Sequence, residues 1–135
     1  MNSELRDKQK KHGIKRFTNS FKYSCAGLSY AFKYEQSMTI HIIMLVLVIV
    51  CGIFFKISLT EWLICTILCG LVIATELINT AIEAVVDLAC PKIDPLAKIA
   101  KDTASAAVFV FAITAFISGL IIFLPKFLNF FGIIN

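Results

Sequence analysis

Charged residues are scarce in this chain of 135 residues: Asp, Glu, Lys and Arg make up 16% of it, whereas hydrophobic residues make up 59%. A soluble domain of average composition has roughly 25% charged residues, so the shortage excludes an ordinary soluble protein. The length allows one domain, 1–135, and the composition predicts that this domain is embedded in a membrane.

Several motifs are also missing. The sequence contains no G-x-x-x-x-G-K-[ST] loop and no glycine-rich kinase loop, so any nucleotide chemistry must use an unrelated architecture. No aromatic and basic pattern typical of a nucleic-acid-binding module is present. The five cysteines form no C-x-x-C pair, which favours small apolar residues over disulfides or zinc ligands. A metal site at Cys65 and Cys69 is a weaker alternative, because no histidine accompanies them.

Three apolar stretches dominate the chain, at residues 39–55, 62–86 and 105–124. Each is about long enough to cross a hydrocarbon core of roughly 30 Å as an α-helix. The pattern therefore predicts three transmembrane helices in an all-α membrane protein. Thr60 is the expected start of the second helix, and Pro125 is expected to close the third.

The segment that precedes the first span divides into two parts. Residues 1–13 are polar and basic without apolar periodicity, which predicts a disordered arm. In residues 14–34 the apolar side chains recur at helical spacing: they are Ile14, Phe17, Phe21, Leu28 and Phe32. We predict an N-terminal amphipathic helix lying on the membrane surface. A simple interfacial anchor and a platform for a functional site both fit this pattern.

The basic residues predict the orientation of the chain. Of its 13 Lys and Arg residues, only Lys56 and Lys126 fall on the side of the membrane opposite to the N-terminus. Lys and Arg in short loops tend to remain in the cytoplasm. We therefore expect the N-terminus in the cytoplasm and the C-terminus outside.

The second span contains polar residues at a spacing that places them on one side of a helix. Glu76, Asn79, Thr80, Glu83 and Asp87 fall within a stripe roughly 100° wide. An ionisable side chain that faces lipid near the bilayer centre costs on the order of 3 kcal/mol, so this polar stripe must face protein or water. Because a helix rises about 1.5 Å per residue, the acidic residues of this stripe lie at successive depths from the cytoplasmic surface into the membrane.

Magnesium is the cation that best suits such hard oxygen ligands, and Glu35 lies at the same level as Glu83. Basic residues that could hold phosphate oxygens surround this level: Arg16, Lys92, Lys98 and Lys101. Acidic residues that can bind a metal ion, next to basic residues that can bind phosphate, are typical of a phosphoryl-transfer site. Two alternatives remain open: polar contacts that join helices, and a small transporter or channel subunit whose acids bind a coupling ion or proton.

Two segments of the chain carry a resemblance to a known family. They are "ELINTAIEAVVD" at 76–87 and "AKDTASAAV" at 100–108, and Arg16, the "YS" and "GL" pairs within 23–28, and Glu35 fall in the same order and spacing. Over residues 14–124 the chain resembles the prokaryotic diacylglycerol kinases, which are small integral-membrane lipid kinases.

The resemblance implies transfer of the γ-phosphate of ATP to a lipid alcohol with Mg²⁺, in the bacterial plasma membrane. It implies a homotrimeric helical bundle with active sites shared between protomers. Glu76 then resembles the catalytic base and Asn79 an orienting group, while Glu35 and Glu83 resemble the metal-binding carboxylates. The positions that resemble nucleotide-contacting residues are Arg16, Tyr23, Lys101 and Asp102, with Lys92 and Asp94 in the loop near the adenosine.

The identity of the lipid depends on smaller departures within the family. Thr80, Leu88, His41 and the tail at 125–135 differ from the diacylglycerol kinase branch and favour the undecaprenol kinase branch, which makes undecaprenyl phosphate. The alternative is a diacylglycerol kinase that makes phosphatidic acid. Taken by itself, His41 is interpreted as an interfacial histidine without a catalytic role.

Overall fold

The computed structural model describes residues 13–133, and over this range the chain is all helical, as the composition predicts. The predicted arm at 1–13 lies almost entirely outside the described residues. Four helices follow one another: α1 (Gly13–Tyr34), α2 (Gln36–Phe54), α3 (Leu59–Ala89) and α4 (Pro95–Phe130). Helices α2, α3 and α4 are each long and apolar enough to cross a membrane.

The three membrane helices differ in length. Helix α2 has 19 residues, whereas α3 has 31 and α4 has 36. Since about 20 residues cross the hydrocarbon core, α3 and α4 extend well beyond it. Residues 90–94 connect these two helices at one end of the bundle, which we call the loop end. The opposite end, at the connection between α2 and α3, is called the turn end.

Helices α2 and α3 are joined by a tight turn that begins with a Schellman motif. The amide of Ile57 donates to the carbonyl of Gly52, and the amide of Lys56 donates to that of Ile53. These two bonds satisfy carbonyls that the end of α2 would otherwise leave unpaired. Lys56 takes a left-handed conformation, with φ of 50°, which is strained for a residue that has a Cβ atom.

Replacing Lys56 with glycine should stabilise the protein by roughly 0.5 to 1 kcal/mol, because glycine adopts positive φ without the steric cost. The free energy of unfolding in detergent micelles measures the effect. Lys56→Ala is the matched control, since it removes the same charge and keeps the Cβ atom. Equal stability of the glycine and alanine variants would contradict this account of the turn.

The start of α3 differs from the expected one. Ser58 is the N-cap: its side chain accepts from the amide of Glu61, and the Glu61 carboxylate accepts from the amide of Ser58. The expectation that Thr60 begins the helix is therefore wrong. Ser58 is the N-cap instead because a glutamate follows three residues after it, which completes a capping box.

Helix α4 continues through Pro125 to Phe130, so the expectation that this proline ends the helix is wrong. A proline removes one amide donor, but in an apolar environment the chain gains by keeping its remaining helical hydrogen bonds. The residue after the proline is also fixed to α3, because Lys126 forms an ion pair with Glu61 at 3.0 Å.

The helices pack unevenly around α3. Helix α4 packs along α3 more extensively than α2 does, while α2 and α4 make little contact with each other. Near the turn end the three helices close around Ile57, Cys65 and Ile122. Gly52 allows this closure, since a Cβ atom there would lie 2.6 Å from the Trp62 ring. Between this turn-end cluster and the level of Glu76, α2 and α4 leave a groove between them with α3 as its floor.

Candidate active site

Glu76 is a buried carboxylate in the middle of the membrane helices, with 3% of its surface exposed. The hydroxyl of Ser37 on α2 donates a hydrogen bond to Glu76 Oε1. The Nε2 atom of His41, one turn further along α2, lies 3.8 Å from Glu76 Oε2. Burying an ionisable group is costly unless it is paired, and the two side chains from α2 supply polar partners.

Asn79 and Thr80 continue the polar stripe and are also buried. Asn79 Nδ2 donates to Glu83 Oε1 at 3.1 Å, and the Thr80 hydroxyl donates to the backbone carbonyl of Glu76 at 3.1 Å. Asn79 Oδ1 is buried without a hydrogen-bond partner. An unpaired buried oxygen is costly, so this atom is a candidate to accept from a donor or to bind a cation.

A charged pocket of about 570 Å³ lies at the loop end, between the end of α3 and the start of α4. It is lined by the two helix ends and the 90–94 connection. Its charged residues are Glu83, Asp87, Lys92, Asp94, Lys98, Lys101 and Asp102. Five of the residues that the family resemblance assigns to the nucleotide or the metal are among them: Glu83, Lys92, Asp94, Lys101 and Asp102.

Lys101 is the central cation of this pocket. Its ammonium contacts the two carboxylate oxygens of Asp87 at 2.9 and 3.2 Å, and Glu83 and Glu35 lie close enough to attract it electrostatically. One turn earlier on α4, Lys98 pairs with Asp102. Lys98, Asp102 and Asp87 are exposed and Lys101 is half-buried, so solvent screens both ion pairs, their net stabilisation is small, and the lysines can exchange partners with a ligand.

Glu35 lies at the junction of α1 and α2, in the N-cap position of α2, yet its carboxylate makes no capping hydrogen bond. An acidic residue at this position normally accepts from the first helical amides. The carboxylate therefore remains available to another ligand near Lys101 and Glu83.

The oxygen atoms of this region fit a magnesium ion. Glu83, Glu35 and the unpaired Oδ1 of Asn79 are hard oxygen donors, and Mg²⁺ is usually held by one or two carboxylates with water and phosphate oxygens in its other positions. Among residues 13–133 no three His, Cys, Asp or Glu side chains form a ready metal cluster.

Some predicted site residues lie apart from the pocket within one chain. Arg16 and Tyr23 are exposed on α1 and do not line it. Asp94 lines the pocket but also caps α4, since its Oδ1 accepts from the amides of Leu96 and Ala97.

Ser37 is a polar contact of Glu76 that sequence reasoning missed. It lies four residues before His41, so both project from the same face of α2. Two polar residues at this spacing at the start of an apolar helix were a signal that Ser37 and His41 share a face, although not that this face contacts Glu76.

Together these features define a class of protein: an all-helical membrane protein with a buried carboxylate and, about two turns further along the same helix, a charged pocket, as expected of a membrane-embedded phosphotransferase. Residues 22–123 match the sequence profile of prokaryotic diacylglycerol kinase, and the chain belongs to this family. It is a lipid kinase. The family assignment favours an enzyme over the small transporter subunit considered above.

Named relatives include both kinds of lipid kinase. The chain is 41% identical over 119 residues to an undecaprenol kinase of Bacillus subtilis, covering 88% of this chain and 97% of that protein. It is 40% identical over 111 residues to a diacylglycerol kinase of Synechocystis, covering 82% of this chain and 63% of that protein. It is 38% identical over 98 residues to a diacylglycerol kinase of Pseudomonas aeruginosa, covering 73% and 80% respectively.

Proposed function

We propose that the protein transfers the γ-phosphate of ATP to undecaprenol, giving undecaprenyl phosphate and ADP. The observation that carries this proposal is the position of Glu76. The carboxylate is buried in the membrane part of α3, with the charged pocket toward the loop end and an apolar groove toward the turn end. A lipid alcohol and a soluble phosphate donor can therefore meet beside one base.

Glu76 is the base in the proposed reaction. It takes the proton of the lipid hydroxyl as the hydroxyl oxygen bonds to the γ-phosphorus, while the bond from that phosphorus to the bridging oxygen of ADP breaks. The Ser37 hydroxyl fixes one carboxylate oxygen, which leaves the other directed toward His41 for the substrate. Holding the base in this way lowers the entropic cost of reaching the reactive geometry.

The charged pocket binds the nucleotide in this proposal. Lys101 exchanges its contact with Asp87 for phosphate oxygens, and Lys92 adds a second positive charge at the rim. Asp94 and Asp102 lie on the wall where the adenosine would contact the 90–94 connection and the start of α4.

Glu35 and Glu83 would hold Mg²⁺, with Asn79 placing the Glu83 carboxylate through its 3.1 Å hydrogen bond. A bound Mg²⁺ would neutralise charge on the transferring phosphate. The carboxylates in turn need a positive neighbour, and Lys101 already provides one from α4.

We further propose a homotrimer in the bacterial plasma membrane, with the loop end in the cytoplasm and the C-terminus outside. Arg16 and Tyr23 lie away from the pocket of their own chain. We therefore expect these side chains to contact the pocket of a neighbouring protomer. An amphipathic α1 lying along the cytoplasmic surface would present them to that neighbour. The excess of basic residues on the loop-end side supports the orientation.

Undecaprenol is preferred over diacylglycerol as the substrate because of the match over nearly the whole length of the Bacillus subtilis undecaprenol kinase. The diacylglycerol kinases among the relatives make diacylglycerol the second candidate. Both lipids carry a primary alcohol at the membrane surface, so the same base serves either one.

Phosphate transfer from radiolabelled ATP tests the proposal. Purified protein in mixed micelles should phosphorylate undecaprenol with a kcat/KM about tenfold or more above that for dioleoylglycerol. Omission of Mg²⁺ should abolish transfer to both lipids. A higher kcat/KM for dioleoylglycerol would replace undecaprenol with the second candidate, and the absence of transfer to either lipid would contradict the proposal.

A further inference from the structure

The apolar groove between α2 and α4 ends at His41, beside the proposed base. It encloses about 320 Å³, which lies at the lower end of the range for small-molecule sites. On α2 it runs from His41 to Cys51, on α3 from Ile73 to Cys69, and on α4 from Ala112 to Phe123. Its axis therefore follows the helices, from the level of Glu76 toward the turn end.

His41 is the one strongly polar side chain in this lining. Beyond it, the lining contains no nitrogen or oxygen atom in any side chain: the atoms other than carbon are the thioether of Met44 and the thiols of Cys51 and Cys69. Apart from weak contacts with these sulfur groups, a ligand in the groove can therefore form polar contacts with side chains only at its His41 end. The position of Glu76 adds a carboxylate at the same end.

The distance between the two polar groups suits a hydroxyl oxygen. Nε2 of His41 and Oε2 of Glu76 are 3.8 Å apart, which is too far for a direct hydrogen bond. Because hydrogen bonds to oxygen are about 2.8 Å long, one hydroxyl oxygen can lie within bonding distance of both atoms. It would donate its proton to the carboxylate and accept a hydrogen bond from an Nε2–H of the imidazole.

We infer that His41 binds the hydroxyl of the lipid substrate and, with the apolar groove, selects an alcohol carried directly on a hydrocarbon chain. This inference rests on the proposed function. The two candidate substrates, undecaprenol and diacylglycerol, differ in what lies next to the hydroxyl. A prenol has only hydrocarbon beyond its hydroxyl-bearing carbon. A diacylglycerol has two ester carbonyls close to its hydroxyl, and beyond His41 the groove offers them no donor stronger than a cysteine thiol, so burying them there is costly.

The first test compares His41→Ala with His41→Gln. The amide nitrogen of glutamine lies near the position of Nε2 and can donate in its place. His41→Ala should lower kcat/KM for undecaprenol about tenfold, as expected for the loss of one hydrogen bond to the substrate, with the KM for ATP unchanged. His41→Gln should recover most of that loss. An unchanged kcat/KM in His41→Ala, or an equal loss in both variants, would overturn the role of His41.

The second test fills the groove. A Cβ atom added to Gly119 would meet no atom within 4 Å, so a side chain can start there without a clash, and the longer side chain of Gly119→Leu should occupy part of the groove that the lipid chain would fill. It should raise the KM for undecaprenol about tenfold and leave the KM for ATP unchanged. Ile117→Phe is the matched control, because it adds bulk on α4 at an exposed position outside the groove lining. Equal KM values for the two variants would overturn the assignment of the groove.

The wild-type protein separates failure of this inference from failure of the proposed function. If it phosphorylates neither lipid, both are wrong. If it phosphorylates undecaprenol and the His41 and Gly119 variants match it, the lipid hydroxyl and chain bind elsewhere, and only the inference is wrong. Thermal unfolding of each variant in the same micelles should match the wild type.

Discussion

Glu76→Gln should lower kcat by about a thousandfold while ATP binding is retained. The amide is similar in size and keeps an oxygen that accepts from the Ser37 hydroxyl, so the packing of α2 on α3 should survive. It cannot accept the proton of the lipid alcohol, and a positioned general base is worth about 10² to 10⁴ in rate. Steady-state kinetics with undecaprenol, together with the equilibrium affinity for ATP, measures both parts of the prediction.

Glu61→Gln is the matched control for this experiment. The same substitution is made on the same helix, but Glu61 lies at the turn end, where it pairs with Lys126 and caps α3. It should leave kcat unchanged. A Glu76→Gln variant that kept wild-type turnover would show that another group takes the proton, and joint loss of turnover and ATP affinity would indicate that Glu76 supports the pocket instead.

The acids of α3 show how much of the site the sequence alone could predict. The helical period places five polar residues on one stripe, and in the structure Glu76, Asn79 and Thr80 are buried while Glu83 is half-buried and Asp87 exposed. The gradient from membrane interior to pocket follows from one helix and its rise, so local spacing was sufficient.

Contacts between helices were beyond the sequence. Ser37 meets Glu76 because α2 crosses α3 at that level, and nothing in the local sequence fixes the crossing point. His41 was interpreted as an interfacial histidine for the same reason: a single helix does not reveal that its neighbour carries a carboxylate 3.8 Å away. The position of a lone polar residue against another helix depends on the packing of the whole bundle.

The helix ends were mispredicted where two local preferences compete. At the start of α3, Thr60 and Ser58 are both acceptable N-cap residues. Glu61, at the third helical position, completes a capping box with Ser58 and so favours Ser58. At Pro125, the loss of one amide donor competes with the cost of exposing further backbone groups in an apolar environment. The second cost is larger, so α4 continues to Phe130.

Glu83→Gln should raise the Mg²⁺ concentration required for half-maximal activity by about a hundredfold. Replacement of an outer-sphere partner commonly weakens metal binding 10- to 100-fold, so loss of an anionic ligand itself should reach at least the upper part of that range. The amide oxygen still accepts from Asn79 Nδ2, as the carboxylate does at 3.1 Å, so the variant removes the charge and keeps the buried hydrogen bond. Initial rates over a Mg²⁺ titration, at saturating lipid and ATP, give the value.

Glu35→Gln provides the companion measurement, because Glu35 lies near the same lysine and is the second proposed ligand. If both carboxylates bind one ion, each variant should shift the Mg²⁺ requirement, and the double variant should shift it by less than the product of the two single effects, since residues that share a ligand are not additive. If the two single effects on the Mg²⁺ requirement multiply in the double variant, the two carboxylates do not bind the same ion. A Glu83→Gln variant with lower kcat and an unchanged Mg²⁺ requirement would instead assign Glu83 to the orientation of Asn79 alone.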